Sequence, residues 1–227
     1  RTSTELEQSG FWRADKFSYR KGNEEYLALY EAKMCWQYDH RYANCVETGT
    51  RRSNRQASER TSLEFKVNRA NSIEPRYWLP VDEFRKRVDK LTSKAWLLTV
   101  RDITCATNER TLSAQFIPFL PVGHTLALVM SRTSLAQQVC LTAALSSFVV
   151  DYVMRQKISG NHATYFLLMQ LPLHDPAIYT KPLHGVDLTQ WIGARVLKLV
   201  YTANDMQGFA RELGYDGPPF VWDDDER

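Results

Sequence analysis

The apolar run Tyr26-Leu27-Ala28-Leu29-Tyr30 and the polar–apolar alternation of Glu31-Ala32-Lys33-Met34-Cys35-Trp36 have the period of two that a strand requires. The same pattern predicts strands over 96–101, 110–117 and 124–130. Residues 96–117 then form an antiparallel hairpin closed by a polar turn over 102–109. Pro75-Arg76-Tyr77-Trp78-Leu79-Pro80 predicts a rigid extended piece, and 81–91 a short amphipathic helix. From 134 to 156, Leu135, Val139, Leu141, Ala144, Leu145, Phe148, Val149, Tyr152 and Val153 recur at helical spacing. They predict one long helix with a broad buried face. A Gly-containing turn over 157–161 follows, then a buried strand or short helix over 165–169. A second helical region, 188–213, is divided at 205–208. Residues 1–25 read as a polar lead-in anchored by Phe11, Trp12 and Phe17, and 47–62, without apolar period, as a surface loop. Together these elements predict an α+β fold: a twisted, mostly antiparallel sheet with long helices packed on it. Residues 1–185 form the main domain and 186–227 a helical C-terminal tail.

Composition narrows the function class. The chain has 227 residues, 44% hydrophobic and 24% charged, which excludes wholesale disorder. Lys+Arg is 29 and Asp+Glu is 26, a net charge of +3, so any nucleic-acid contact depends on local placement of charge. Between 51 and 69 six basic residues face two acids. Cys35, Cys45, Cys105 and Cys140 have neither C-x-x-C nor zinc-finger spacing and read as reduced thiols of a cytoplasmic protein. No apolar run reaches the roughly 18 residues that span a bilayer, and no signal peptide opens the chain. A first residue of Arg rather than Met predicts a piece of a longer polypeptide.

Catalytic motifs are sparse. No G-x-S-x-G elbow, H-E-x-x-H helix or glycine-rich phosphate loop is present. Two E-x-K triplets, Glu31-Ala32-Lys33 and Glu64-Phe65-Lys66, have the spacing of metal-dependent nucleases, where an upstream acid such as Asp15 completes a Mg²⁺ site. The plainer reading of Glu31 and Lys33 is a salt-bridged strand face. Gly217-Pro218-Pro219-Phe220 is similar to the Asn/Asp-Pro-Pro-Tyr/Phe motif of amino-methyltransferases. Gly occupies the polar position, however, so it reads as a Pro-stiffened domain end. Residues suited to DNA are better represented at turns and strand ends: Lys33, His40, Arg41, Arg101, Arg110, Lys157 and His162, with Asn108, Asn161 and Gln170 as amide edges.

Several segments, in order, resemble one family. Leu29-Tyr30-Glu31-Ala32-Lys33-Met34 and Gln37-Tyr38-Asp39-His40-Arg41 resemble the PLYEGKM…QFDHR stretch of large adenine-specific DNA methyltransferases of Type IIG-like restriction–modification and phage-defence systems. Pro75-Arg76-Tyr77-Trp78, Arg101-Asp102-Ile103-Thr104, Asn108-Glu109-Arg110-Thr111, Leu145-Ser146-Ser147-Phe148, Asp151-Tyr152, Arg155-Gln156-Lys157 and Gly160-Asn161-His162 continue it. Tyr201-Thr202-Ala203 and Gly214-Tyr215-Asp216-Gly217-Pro218-Pro219-Phe220 close it. Ala32 stands where the family has Gly, and Ser146 where it has Asn. The resemblance implies the DNA target-recognition domain that follows the catalytic domain. Its partners would be duplex DNA and an upstream methyltransferase domain of the same polypeptide. S-adenosylmethionine would belong to that domain, with no cofactor in this chain.

The expected function is therefore sequence-specific reading of duplex DNA, without catalysis by this chain alone. Arg101, Asn108 and Arg110 flank the hairpin tip, Lys157, Asn161 and His162 form a second edge, and Arg51, Arg52 and Arg55 a basic loop. Lys33, His40 and Arg41 are either contacts or structural. The rivals are a Mg²⁺-dependent nuclease at Glu31 and Lys33, and a protein-interaction platform using Tyr77 and Trp78.

Overall fold

A computed structural model describes residues 1–45, 58–88 and 94–225. The chain opens with helix α1 (Ser3–Gln8) and strands β1 (Trp12–Asp15), β2 (Ser18–Lys21) and β3 (Glu24–Ala28). Short strands β4 (Ala43–Asn44) and β5 (Glu59–Arg60), helix α2 (Leu63–Val67), strand β6 (Trp78–Pro80) and helix α3 (Val81–Val88) follow. Strands β7 (Trp96–Arg101), β8 (Ala114–Pro118) and β9 (Leu126–Leu128) lead into helices α4 (Leu135–Leu145), α5 (Phe148–Lys157), α6 (Tyr165–Leu168), α7 (Leu188–Val200) and α8 (Gln207–Glu212).

The fold is α+β and every ladder within its sheets is antiparallel. The single sheet of the sequence reading is divided, however. One sheet runs β1-β2-β3-β6, a second β8-β7-β9, and β4 pairs β5. A parallel bridge between Tyr30 and Val122 links the first two. The polar lead-in is structured: Thr2 caps α1 by accepting the Glu5 N–H, and β1–β2 builds half of the first sheet.

Strand β7 joins the cores because it is buried on both faces. Leu97 packs in the cluster of Leu6, Tyr19, Met34 and Trp78. Trp96 and Leu98 point the other way, among Phe116, Val139, Val200 and Phe209, while Val100 packs with Leu112, Leu145 and Met154. This explains the unbroken apolar run in β7. Its buried polar residue, Thr99, is satisfied inside: its hydroxyl donates to the Gln115 carbonyl (3.1 Å) and accepts from Gln115 Nε2 (2.8 Å). Each fully buried Leu or Phe here contributes ~1.5–3 kcal/mol. Helix α8 approaches β7 so closely that a Cβ at Gly208 would collide with Ala95.

Three predicted elements change form. Residues 31–36 contain a 3-10 turn, Ala32–Met34, closed by the Met34 N–H donating to the Glu31 carbonyl (2.9 Å). Alternation persisted in sequence because Ala32 and Met34 both face the core. The long helix over 134–156 is two helices. Ser147 is extended (ψ 149°) and its hydroxyl accepts the Val150 N–H, capping α5. The break resets the helical phase, leaving Phe148, Val149 and Tyr152 at 79%, 70% and 63% exposure instead of buried. In the C-terminal region the interruption falls at Tyr201–Ala203, before the predicted 205–208, and a 3-10 turn, Asn204–Met206, follows it. Helices α7 and α8 then pack on the hairpin. All four cysteines are free thiols. Among the described residues no helix is long and apolar enough to cross a membrane.

Candidate nucleic-acid interface

The β7–β8 connection, residues 102–113, meets the turn after α5 edge to edge. Ile103 and His162 form an antiparallel bridge. The Thr104 N–H donates to the Asn161 carbonyl (3.0 Å), and the Ala163 N–H to the Asp102 carbonyl (2.7 Å). His162 Nδ1 lies 2.8 Å from Asp102 Oδ2 at the surface. Two segments that sequence reading treated as separate edges are thus one continuous ridge. Asn161 and His162 are exposed on it. Lys157 sits beside it, donating to Gln170 Oε1 (3.2 Å).

The loop is stiffened from within. Thr104 Oγ1 donates to the Thr111 carbonyl (2.7 Å) and accepts from Asn108 Nδ2 (3.2 Å), while Cys105 Sγ donates to Asn108 Oδ1 (3.1 Å). Asn108 therefore spends its amide on loop shape. Helix α5 braces the same loop. Asp151, buried, accepts the N–H groups of Thr111 (2.9 Å) and Leu112 (2.8 Å) on one oxygen and Arg155 on the other (3.2 Å). Arg155 also donates to the carbonyls of Ala106 (2.6 Å) and Glu109 (3.1 Å). Two charged side chains one helical turn apart hold both limbs of the loop, the preorganisation a recognition surface needs.

The two arginines flanking the hairpin tip each lie over an aromatic ring. Arg101 sits 5.0 Å from the Trp36 ring, and its Nη1 is 3.5 Å from the Cys35 carbonyl. Burial lowers its pKa from the ordinary value, which leaves it a cation. Arg110 stacks at 4.1 Å on exposed Phe148. Trp36 stacks in turn on Tyr42, and Arg60 lies 5.0 Å over that ring. A stacked aromatic pair, Trp36 and Tyr42, thus lies between Arg101 and Arg60.

Between the first sheet and the end of β7 lies a cleft of about 810 Å³, lined by Lys33, Arg101 and His124 among others. Ile103 belongs to both cleft and ridge, so the two are contiguous.

Other expected contacts are not on this surface. Arg41 is fully buried, donating to the carbonyls of Lys66, Asn68, Asn71 and Thr202 at 2.8–3.2 Å. His40 is 1% exposed, its Nε2 2.9 Å from Asp205. Both are held within the scaffold by these bonds. Trp78 is core as well, edge-on to Tyr19 at 4.7 Å, and is not a docking aromatic. Arg51, Arg52 and Arg55 lie outside the described residues.

The geometry needed for the nuclease alternative is not assembled among the described residues. Glu31 is engaged with Arg76 (2.8 Å) and Lys33 (3.6 Å). Asp15 accepts from the Phe17 N–H and Ser18 Oγ and lines a different cavity. Among the described residues no three His, Cys, Asp or Glu are grouped to hold a metal. Gly217-Pro218-Pro219-Phe220 folds back on the helices: the Phe220 N–H donates to the Tyr201 carbonyl (2.8 Å), and its ring stacks on Tyr215.

Sequence reading missed Arg76 and His124 in the cleft and the brace from Asp151 and Arg155. It also missed the exposed aromatics Phe148, Tyr152, Tyr165 and Phe166. The signal for Phe148 and Tyr152 was the Ser146-Ser147 pair, a cap in the middle of an apolar helix pattern; Tyr165 and Phe166 lie on the short helix at 165–168, which is exposed where a buried element was expected. No protein-family model, curated protein or solved structure matches this chain.

Proposed function

We propose that this chain reads duplex DNA sequence-specifically as the target-recognition part of an N6-adenine DNA methyltransferase of the restriction–modification or phage-defence type, acting in the cytoplasm. Catalysis and S-adenosylmethionine would belong to a methyltransferase domain of the same polypeptide. Such an enzyme extrudes its target base at a cost of a few kcal/mol, so a second lobe must hold the duplex and read neighbouring base edges. The family resemblance supplies the reading's identity. One observation carries it to a surface: the 102–113 loop and the turn at 158–162 merge into a single braced ridge beside a cationic cleft. The ridge offers Asn161 and His162 for base edges, while Arg101, Arg110, Lys33 and Lys157 suit phosphates.

Selection from a randomised duplex library tests this. The expected outcome is enrichment of one short motif, with binding that falls steeply as salt rises. No duplex retention at low salt would refute the reading, whereas retention without an enriched motif would reduce it to nonspecific binding.

A further inference from the structure

The cleft beside the ridge has an electrostatic imbalance. Lys33, Arg76 and Arg101 line it with His124, and Glu31 is the carboxylate among its lining residues. Glu31 is committed: it takes Arg76 Nη2 on both oxygens (3.0 and 2.8 Å) and lies 3.6 Å from Lys33. Arg76 is 3% exposed, yet its Nε and Nη1 have no hydrogen-bond acceptor. The Tyr77 ring, 4.9 Å away, faces its charge without accepting those N–H groups in hydrogen bonds. Arg101 has an unpaired Nε too. Its charge is not neutralised by the nearby Cys35, because burial pushes that thiol's pKa well above the ordinary value and keeps it uncharged. Buried guanidinium donors without acceptors are costly, and native structures seldom keep them without a purpose.

The volume, the excess of cations and the orphan donors point to one ligand chemistry. We propose that the cleft is a phosphate site: Arg101, Lys33 and His124 hold a phosphate group, and Arg76, tethered by Glu31, supplies a fixed positive field behind it. The occupant is an internucleotide phosphate of the bound duplex, an assignment that rests on the DNA reading above. The phosphate chemistry itself does not, since a free phosphate compound would use the same groups. A phosphate held here would set the register of the duplex against the ridge, sharing Ile103 as the common wall.

Two measurements on the full chain separate the cases. In the first, inorganic phosphate is titrated while the His124 imidazole resonances are followed by NMR. In the second, duplex affinity is measured across a salt series for the wild-type chain, Arg101→Gln and Lys33→Gln. Lys33→Gln serves as the second variant because Lys33 lines the cleft from outside the hairpin. The expected results are a saturable His124 shift that weakens at least about tenfold in Arg101→Gln, and a salt slope about one unit shallower in each variant, alike on every sequence. A changed slope without a phosphate-induced shift also supports the site, with the diester as its occupant. A shift abolished by Arg101→Gln in a chain that binds no duplex assigns the site to a free phosphate compound and refutes the DNA reading alone. Unshifted His124 together with unchanged slopes in a duplex-binding chain overturns the phosphate site and leaves the DNA reading standing. Absence of both phosphate and duplex binding overturns both.

Discussion

Arg41 donates through Nη2 to the carbonyl of Thr202, 161 residues away, at 3.0 Å in the buried core. That carbonyl is free because α7 ends at Val200 and the chain is not helical over Tyr201–Ala203. Three residues later Asp205 receives His40. His40 and Arg41 thus tie the segment between β3 and β4 to the C-terminal region. Replacing Arg41 by Ala removes the guanidinium donors from four carbonyls, of which Asn68's keeps the Asn71 N–H, an expected loss of at least about 3 kcal/mol. Urea unfolding measures it; a loss within 0.5 kcal/mol, about what an ordinary surface substitution costs, would contradict the assigned role.

Asp151→Ala removes the acceptor of the Thr111 and Leu112 N–H groups. The expected cost is about 2–3 kcal/mol of stability. On the proposed reading, duplex affinity also falls at temperatures where the variant remains folded, because the ridge loses its brace. Full affinity in a destabilised variant would show that loop rigidity is not needed for binding.

Arg110→Ala is expected to weaken specific duplex binding by about 1–3 kcal/mol. It removes the cation stacked on Phe148. Binding isotherms on a selected and a scrambled duplex separate a base contact, which narrows the difference between them, from a phosphate contact, which weakens both. Unchanged binding to both removes Arg110 from the interface.

The four thiols should react unequally. Burial pushes Cys45 up to about 12, Cys140 up to about 11 and Cys35 well above the ordinary range. Cys105, in the ridge loop, is lowered instead by its hydrogen bond with Thr107. Iodoacetamide at pH 8 should therefore label Cys105 first in the native chain and all four after unfolding. A selected duplex should slow Cys105 labelling; an unslowed reaction would place the loop away from DNA.

Burial and its hydrogen bond to Glu7 (2.7 Å) push the Tyr19 phenol up to about 12. An unfolded tyrosine titrates near about 10. The folded protein thus favours the protonated form, and this stabilisation is full below pH ~10 and is lost as pH rises toward about 12. Tyr19→Phe should make the alkaline fall in stability shallower. An identical pH profile in denaturant titrations would contradict the shift.

Local pattern determined much of the architecture. The α+β class, the 96–101 strand, its antiparallel hairpin and the helical C-terminal region were legible because apolar period and turn residues act over a few positions. The same locality explains the misreadings. A Ser pair inside an apolar helix pattern looks like two polar positions until the phase change at Ser147 turns Phe148 and Tyr152 outward. Alternation over 31–36 looks like a strand until the 3-10 turn forms.

By itself, then, the sequence determined the class of the fold and its hairpin, and it supplied side chains whose chemistry suits a phosphate or a base edge. Only the tertiary structure decided which of them reach solvent. Arg41 and His40 went inside because one carbonyl and one carboxylate more than 160 positions along the chain, with nearer carbonyls at Lys66, Asn68 and Asn71, receive them there. Arg76, Arg101 and Lys33 converged on one cleft because separate elements end at the same place. Charge carries no record in the linear chain of what will surround it, and the surroundings decide whether it is a brace or a binding group.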